Sequence, residues 1–141
     1  MFKVNPYLNF DGTAEEAFIF YKSVFGGEFG MVMKMSDTPD GHKVPENEQN
    51  RIMHISLPIG NDTVLMGSDI FPSFGHTLNK GNDVYVSLHP DSREEADRLF
   101  NGLSAGGVVE MPMADQFWGD YFGSFKDRFG TNWMVNCAGK K

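Results

Sequence analysis

Apolar residues recur along this chain with a period that switches between two and three-to-four. Val4 to Phe10 reads as a strand, closed by Asp11-Gly12. Ala14, Ala17, Phe18, Tyr21, Val24 and Phe25 then fall at i, i+3, i+4, i+7, i+10 and i+11, the buried stripe of a helix over about 14–25. Phe29 to Met35 is a second strand. Ser36 to Asn50 is a polar loop with Pro39, Asp40-Gly41 and Pro45, expected to be mobile. Arg51–Ile59 and Thr63–Ser68 are strands joined by a turn at Gly60-Asn61-Asp62. After a Gly-, Pro- and Ser-rich linker over Asp69–Asn82 the order restarts. Asp83–His89 is a strand, Arg93–Leu103 a helix and Val108–Met113 a strand. An aromatic loop over Ala114–Asp120 leads to the strands Tyr121–Asp127 and Asn132–Cys137, which flank a turn at Arg128-Phe129-Gly130-Thr131.

The restart is also a repeat of local sequence. Thr13-Ala14-Glu15-Glu16-Ala17 precedes Phe20-Tyr21, Val24 and Gly26-Gly27. Shifted by 79 positions, Ser92-Arg93-Glu94-Glu95-Ala96 precedes Leu99-Phe100, Leu103 and Gly106-Gly107. Each copy has the form of a capping box, with a hydroxyl at the N-cap and a glutamate three residues on. Each ends in glycines able to take the left-handed conformation that stops a helix. The order is βαβββ, linker, βαβββ. Each half leaves a sheet face that it cannot cover alone, so the expected fold is α+β: one curved, eight-stranded half-barrel with the helices outside. The 141 residues are expected to form a single domain, with unit one about 1–69, a linker about 70–82 and unit two about 83–137.

Composition narrows the class. A hydrophobic share of 40% with 13 Phe gives a core real bulk without staples. The formal charge of −7 argues against a nucleic-acid partner. The terminal Lys140-Lys141 pair is too short to offset it. The one Cys137 forms no internal disulfide, and no apolar run approaches the roughly 18 residues of a membrane span. These features lead to the expectation of a cytoplasmic protein that does not engage a membrane.

Five motifs in order give the chain a family resemblance. Phe20-Tyr21-Lys22-Ser23-Val24-Phe25-Gly26 resembles the helix motif of the vicinal oxygen chelate superfamily, which includes glyoxalase I, extradiol dioxygenases and bleomycin-resistance proteins. Asp127-Arg128-Phe129-Gly130-Thr131-Asn132-Trp133 resembles its final hairpin. Ile52–Leu57, Leu65–Asp69 and Gln116–Asp120 resemble the PhnB-like branch, which carries a 3-demethylubiquinone 3-methyltransferase-like label. The resemblance implies a glyoxalase-like fold, a homodimer and a small-molecule cavity inside the sheet. It does not imply one reaction, because members range from metalloenzymes to metal-free binding proteins.

Metal-dependent members carry His or Glu ligands on the first and last strands of each unit. The motif register carries those positions onto Pro6, Met66 or Gly67, Tyr85 and Met134. None of these is a divalent-cation set, and slipping by one residue does no better. The expectation is therefore that no cofactor is bound; a divalent metal stays open but is not supported by these ligand positions, which also weighs against a Lewis-acid glyoxalase or dioxygenase reaction. The four histidines, His42, His54, His76 and His89, have no ligand-like spacing. G-x-G-x-x-G, P-loop, G-x-S-x-G and C-x-x-C motifs are missing, so the methyltransferase label finds no cofactor loop here.

The remaining candidates each carry two readings. His54 interrupts an apolar strand and shares a face with Ile52 and Ser56. It is either an acid/base in the cavity or a buried histidine bonded to a neighbouring strand. Asp69 either holds the linker by backbone bonds or lies at the cavity rim as a partner of His54, while Asp127 reads as a turn-holding residue. Trp118 and Tyr121, within Phe117–Phe122, form a lid over a flat ligand or a dimer contact. Asn136 offers an amide to a ligand or to a strand neighbour. Met31, Met33 and Met35, and again Met111 and Met113, alternate as a soft cavity lining or as core. The functional expectation is a PhnB-like protein that binds a small molecule without the usual metal site. The alternative is an enzyme acting on a small oxygenated substrate with His54 as acid/base and Trp118 or Tyr121 covering the site. A weaker third reading has the aromatic loop binding another protein.

Overall fold

The computed structural model describes residues 1–139; Lys140 and Lys141 lie outside the described residues. The chain divides into two compact units, Met1–Asn79 and Lys80 onward, at a break inside the expected linker.

Unit one runs β1 (Tyr7–Phe10), α1 (Ala14–Phe25), β2 (Met31–Lys34), β3 (Ile52–Ile59) and β4 (Thr63–Asp69). Its sheet has the order β1-β4-β3-β2, with β1 parallel to β4 and the other pairs antiparallel. α1 packs on β3 and β4. Phe18 is its anchor. The ring stacks edge-on against Phe10 and Tyr21, all three fully buried, and lies over Gly67, where a Cβ would strike the ring and the Leu8 carbonyl. Ile55, Leu57 and Leu65 complete this helix-side layer.

The first helix does not start as its sequence predicts. Thr13 makes no side-chain cap bond. Asp69, at the end of β4, does that work instead. Its Oδ1 accepts from Gly12 N at 2.9 Å and Ala14 N at 3.0 Å, and its Oδ2 accepts from Ile52 N at 2.8 Å. A buried carboxylate from the strand between β1 and β3 thus fixes the turn from β1 into the helix and the entry to β3, and its charge lies at the positive end of the helix dipole.

The loop expected to be mobile is packed. Three short 3-10 turns, Met35–Asp37, Gly41–Lys43 and Glu46–Glu48, fold it onto the segment after β4. Met35, Val44 and Phe71 form a small buried cluster, and the buried Glu48 accepts from both Ser73 N and Ser73 Oγ. Met35 therefore leaves the alternating series of Met31 and Met33.

Unit two runs β5 (Val86–Leu88), α2 (Arg93–Ser104), β6 (Val108–Asp115), β7 (Tyr121–Lys126) and β8 (Asn132–Cys137), with the sheet order β5-β8-β7-β6. Here the hydroxyl cap holds: Ser92 Oγ accepts from Glu95 N at 3.1 Å. The Glu95 carboxylate turns to Arg98 rather than back to the cap. Phe100 of α2 meets Phe125 edge-on over the buried Trp133 and Val135. Asp127 shapes the final hairpin: it accepts from Phe129 N, Thr131 N and Trp133 Nε1. The edge strand β6 slips register twice, around Met111 and Pro112, so Met111 and Met113 do not continue one regular face. Among the described residues no helix is long and apolar enough to cross a membrane.

The caps give a graded stability prediction. Asp69→Ala strands three donors, two of them in buried hydrogen bonds, and is expected to cost about 3 kcal/mol. Ser92→Ala should cost about 1 kcal/mol, and Thr13→Ala clearly less. Urea denaturation of the three variants checks the order; an equal loss at Thr13 and Ser92 would contradict it.

Candidate functional site

The strand pleat sorts the candidate residues by face. In unit one, Leu8, Phe10, Ile55, Leu57, Leu65, Gly67 and Asp69 take the side covered by α1. The opposite, helix-free face is read from the ladders. Tyr7 pairs with Met66, Met66 with Ser56 and Ser56 with Met31, while Asn9 pairs with Ser68 and Met33 with His54. Tyr7 Oη lies 3.2 Å from His54 Nδ1, with ring centroids 5.7 Å apart. The imidazole is half-buried, and the hydroxyl donates to it when the ring proton is on Nε2. His54 thus meets a side chain that reaches over β4 from β1, on a face without a helix. Asp69 belongs to the other face with its oxygens on backbone donors, so it is not a partner of His54 at a rim.

In unit two the helix-free face presents Ser87, Met134, Ser124 and Met111 in one row, with Phe122 opposite Asn136 in another. Trp118 joins this face through Phe122, ring centroids 6.1 Å apart, and Phe117 stands edge-on to Trp118. Asn136 Nδ2 donates to Asp120 Oδ2 at 3.1 Å, and Gly139 N donates to Asp120 Oδ1 at 3.0 Å. Tyr121 points the other way. Its hydroxyl donates to Asp97 Oδ1 at 2.6 Å and its ring carries the Arg93 guanidinium at 4.0 Å. That bond to Asp97 raises the Tyr121 phenol above its ordinary value. Tyr121 also lines a cleft of about 590 Å³ beside the start of α2, with Ser92, Arg93, Cys137 and Gly139. The structure therefore brings Trp118 and Asn136 together around Phe122 and separates Tyr121 from them.

Two residues escaped the sequence reading. Tyr7 and Glu110 enter the sequence reading only as members of strands. Tyr85 Oη donates to Glu110 Oε1 at 2.8 Å. Tyr85 precedes β5 and Glu110 is on β6, the two outer strands of the sheet. Three strand spacings separate such edges, about 14 Å on a flat sheet, so this hydrogen bond bars the helix-free face from side to side. Tyrosine near a first strand and an ionisable residue further across is a signal that sequence alone leaves unpaired.

The ladders also correct the repeat register. An offset of 79 carries Leu8, on the helix side, to Ser87, on the helix-free side. Matched through the ladders, Tyr7 and Ser87 are equivalent, each facing Met66 or Met134. Met66 rather than Gly67 is the last-strand position, since Gly67 lies under Phe18. Pro6 supplies only a carbonyl, accepting from Met66 N. A divalent ion of the kind held by His and Glu does not fit these positions: Tyr7 with Met66 and Ser87 with Met134 offer a phenol, a hydroxyl and two thioethers. Among the described residues, no three His, Cys, Asp or Glu side chains gather into a cluster that could hold one.

The family model described as 3-demethylubiquinone-9 3-methyltransferase matches residues 2–136. The chain belongs to this family. This PhnB-like chain is 32% identical to protein YjdN of Escherichia coli (strain K12) over 96% of its own length and 95% of that protein. It is also similar to the crystal structure of protein PA1353 from Pseudomonas aeruginosa, with 38% identity, a TM-score of 0.87, and 99% and 100% of the two chains covered. A glyoxalase/bleomycin resistance protein/dioxygenase family enzyme from Burkholderia phytofirmans PsJN shares the fold at 18% identity and a TM-score of 0.57, covering 96% and 95% of the two chains. The expected PhnB-like branch and α+β fold class thus hold for this chain.

The Tyr85 bar gives a pH prediction. Donation to Glu110, with lesser help from desolvation and the carboxylate charge, raises the Tyr85 phenol above its ordinary 10.0. A raised phenol pKa means the neutral, donating form is favoured in the fold, so the bar persists below that pKa and opens as pH rises through it. A 13C titration of the tyrosine Cζ signals should find Tyr85 ionising late. Glu110→Ala should bring it down; an unchanged midpoint would remove the bar.

Proposed function

We propose that this PhnB-like protein binds a small organic molecule on the helix-free sheet faces without a divalent ion. One observation carries the reading: the ladder positions on those faces hold Tyr7, Met66, Ser87 and Met134, flanked by Met31, Met33, Ser56 and Ser124. Thioethers and aromatic edges adapt to an apolar ligand, and scattered hydroxyls orient it. His54 with Tyr7 in unit one, and Trp118 with Asn136 in unit two, are the polar and aromatic fixtures of this reading. Such a protein would sequester its ligand, as a homodimer in the cytoplasm.

Elemental analysis of the purified protein tests it. We expect far less than one divalent ion per chain, and no thermal shift on adding manganese, nickel or zinc. One tightly bound ion per chain would overturn the metal-free reading. Native mass spectrometry of freshly purified protein should show a co-purified organic molecule, and Met66→Lys should lose it while the circular dichroism spectrum is unchanged.

The Tyr7–His54 contact favours one second reading. A phenol held at 3.2 Å from Nδ1 orients an imidazole as an acid/base for a small oxygenated substrate. His54→Ala would then abolish turnover of that substrate with the fold intact. If the variant instead mainly lowers the unfolding midpoint, His54 is a structural partner of Tyr7.

A further inference from the structure

We propose that the corner formed by Trp118, Phe122 and Asn136 in unit two is selective for a flat apolar ring that carries a hydrogen-bond donor, an O–H or N–H. This deepens the small-molecule reading above and rests on it.

The selectivity comes from Asp120. Its two carboxylate oxygens accept from Asn136 Nδ2 at 3.1 Å and from Gly139 N at 3.0 Å. A carboxylate only accepts, so the nitrogen end of the Asn136 amide has to face Asp120. The other end, Oδ1, is thereby turned away from Asp120 with its lone pairs presented. The amide is held in one orientation and offers an acceptor.

The apolar part of the ligand has its own support. Phe122 and Asn136 are direct cross-strand partners, so their side chains stand side by side on the helix-free face, about 5 Å apart at Cβ. Trp118 meets Phe122 at 62° and remains 50% exposed, while Phe117, 98% exposed, is stacked edge-on against it. Large aromatic surface is left in water here, with an oriented acceptor beside it. A ring seated against Phe122 and Trp118 covers that surface and brings a ring substituent to Asn136 Oδ1. A donor substituent makes a hydrogen bond there. An acceptor-only substituent, such as an ether oxygen, meets lone pairs and leaves Oδ1 desolvated without a partner, a difference of about tenfold or more in affinity.

The test uses the full chain, labelled with 15N, and two probes matched in shape: 2-naphthol and 2-methoxynaphthalene. The chain has 2 Trp, so the indole N–H region gives two signals. Trp133 is buried with its Nε1 bonded to Asp127, and its signal reports an intact fold; Trp118 reports the corner. We expect 2-naphthol to shift the Trp118 indole and Asn136 side-chain signals, at an affinity at least about tenfold above that of 2-methoxynaphthalene. Asn136→Ala should abolish the difference by weakening naphthol alone, with the Trp133 signal unmoved. Equal affinity of the two probes for the wild-type chain, discrimination that survives Asn136→Ala, or no shift of Trp118 by either probe overturns the proposal. Equal affinities with a shifted Trp118 would leave the small-molecule reading standing. A bound divalent ion would remove the metal-free reading without altering this comparison.

Discussion

Each unit is organised around one buried carboxylate. Asp69 in unit one and Asp127 in unit two each accept from three N–H donors on separate parts of the backbone or on an indole. Removing a charge from water costs several kcal/mol unless donors replace the lost hydration. Three charge-assisted bonds supply that replacement, and they do so only when the donors converge. The carboxylate therefore enforces geometry as well as contributing stability. Asp69 makes the turn into α1 and the start of β3 one structure. Asp127 does the same for the hairpin turn and the Trp133 ring at the centre of its core. In both cases the residue sits at a strand end, where the chain must change direction and backbone donors would otherwise be orphaned.

With turns and helix starts held this way, the sheet divides its labour between faces. Helix-side positions are committed to packing: Phe10, Ile55 and Leu65 in one unit, Phe125, Trp133 and Val135 in the other, all fully buried. The alternate positions hold no helix and need not be core. They carry methionine, serine, asparagine, histidine and tyrosine, and tyrosines from both first-strand regions reach across to ionisable partners, His54 and Glu110. Polar and thioether side chains are thereby gathered on one face of each sheet, apart from the packing that holds the fold.

How much of this was legible depends on which interaction encodes it. Both helices show in the 3.6 period, and the Asp127 hairpin in its turn residues, because those signals are local. The face of His54 followed from alternation along β3. The Asp69 cap was hidden because its donors, Gly12, Ala14 and Ile52, are 57, 55 and 17 residues away. The packed loop gives a mobile expectation because Val44 is its one large apolar side chain, and its partners, Met35 and Phe71, lie outside the loop, Phe71 beyond two strands. The repeat offset failed at the first strands for a similar reason. It was measured on the helices, and one residue gained or lost in a strand-to-helix turn leaves a helix match intact while reversing every side chain of the strand before it.

That reversal bears on the candidate site. Aligned through the ladders, the helix-free positions of the two units pair Tyr7 with Ser87, Asn9 with His89, Met66 with Met134 and Ser68 with Asn136. Only the methionines agree. The duplicated scaffold thus presents two unlike faces: a phenol–imidazole pair among methionines in one unit, an aromatic corner with an oriented amide in the other. A chelate built from repeated strands calls for matched hard donors at such positions, whereas an organic ligand with distinct apolar and polar parts is better served by unlike ones. The soft, unmatched lining is therefore the feature of this fold that most directly favours molecular recognition over metal chemistry.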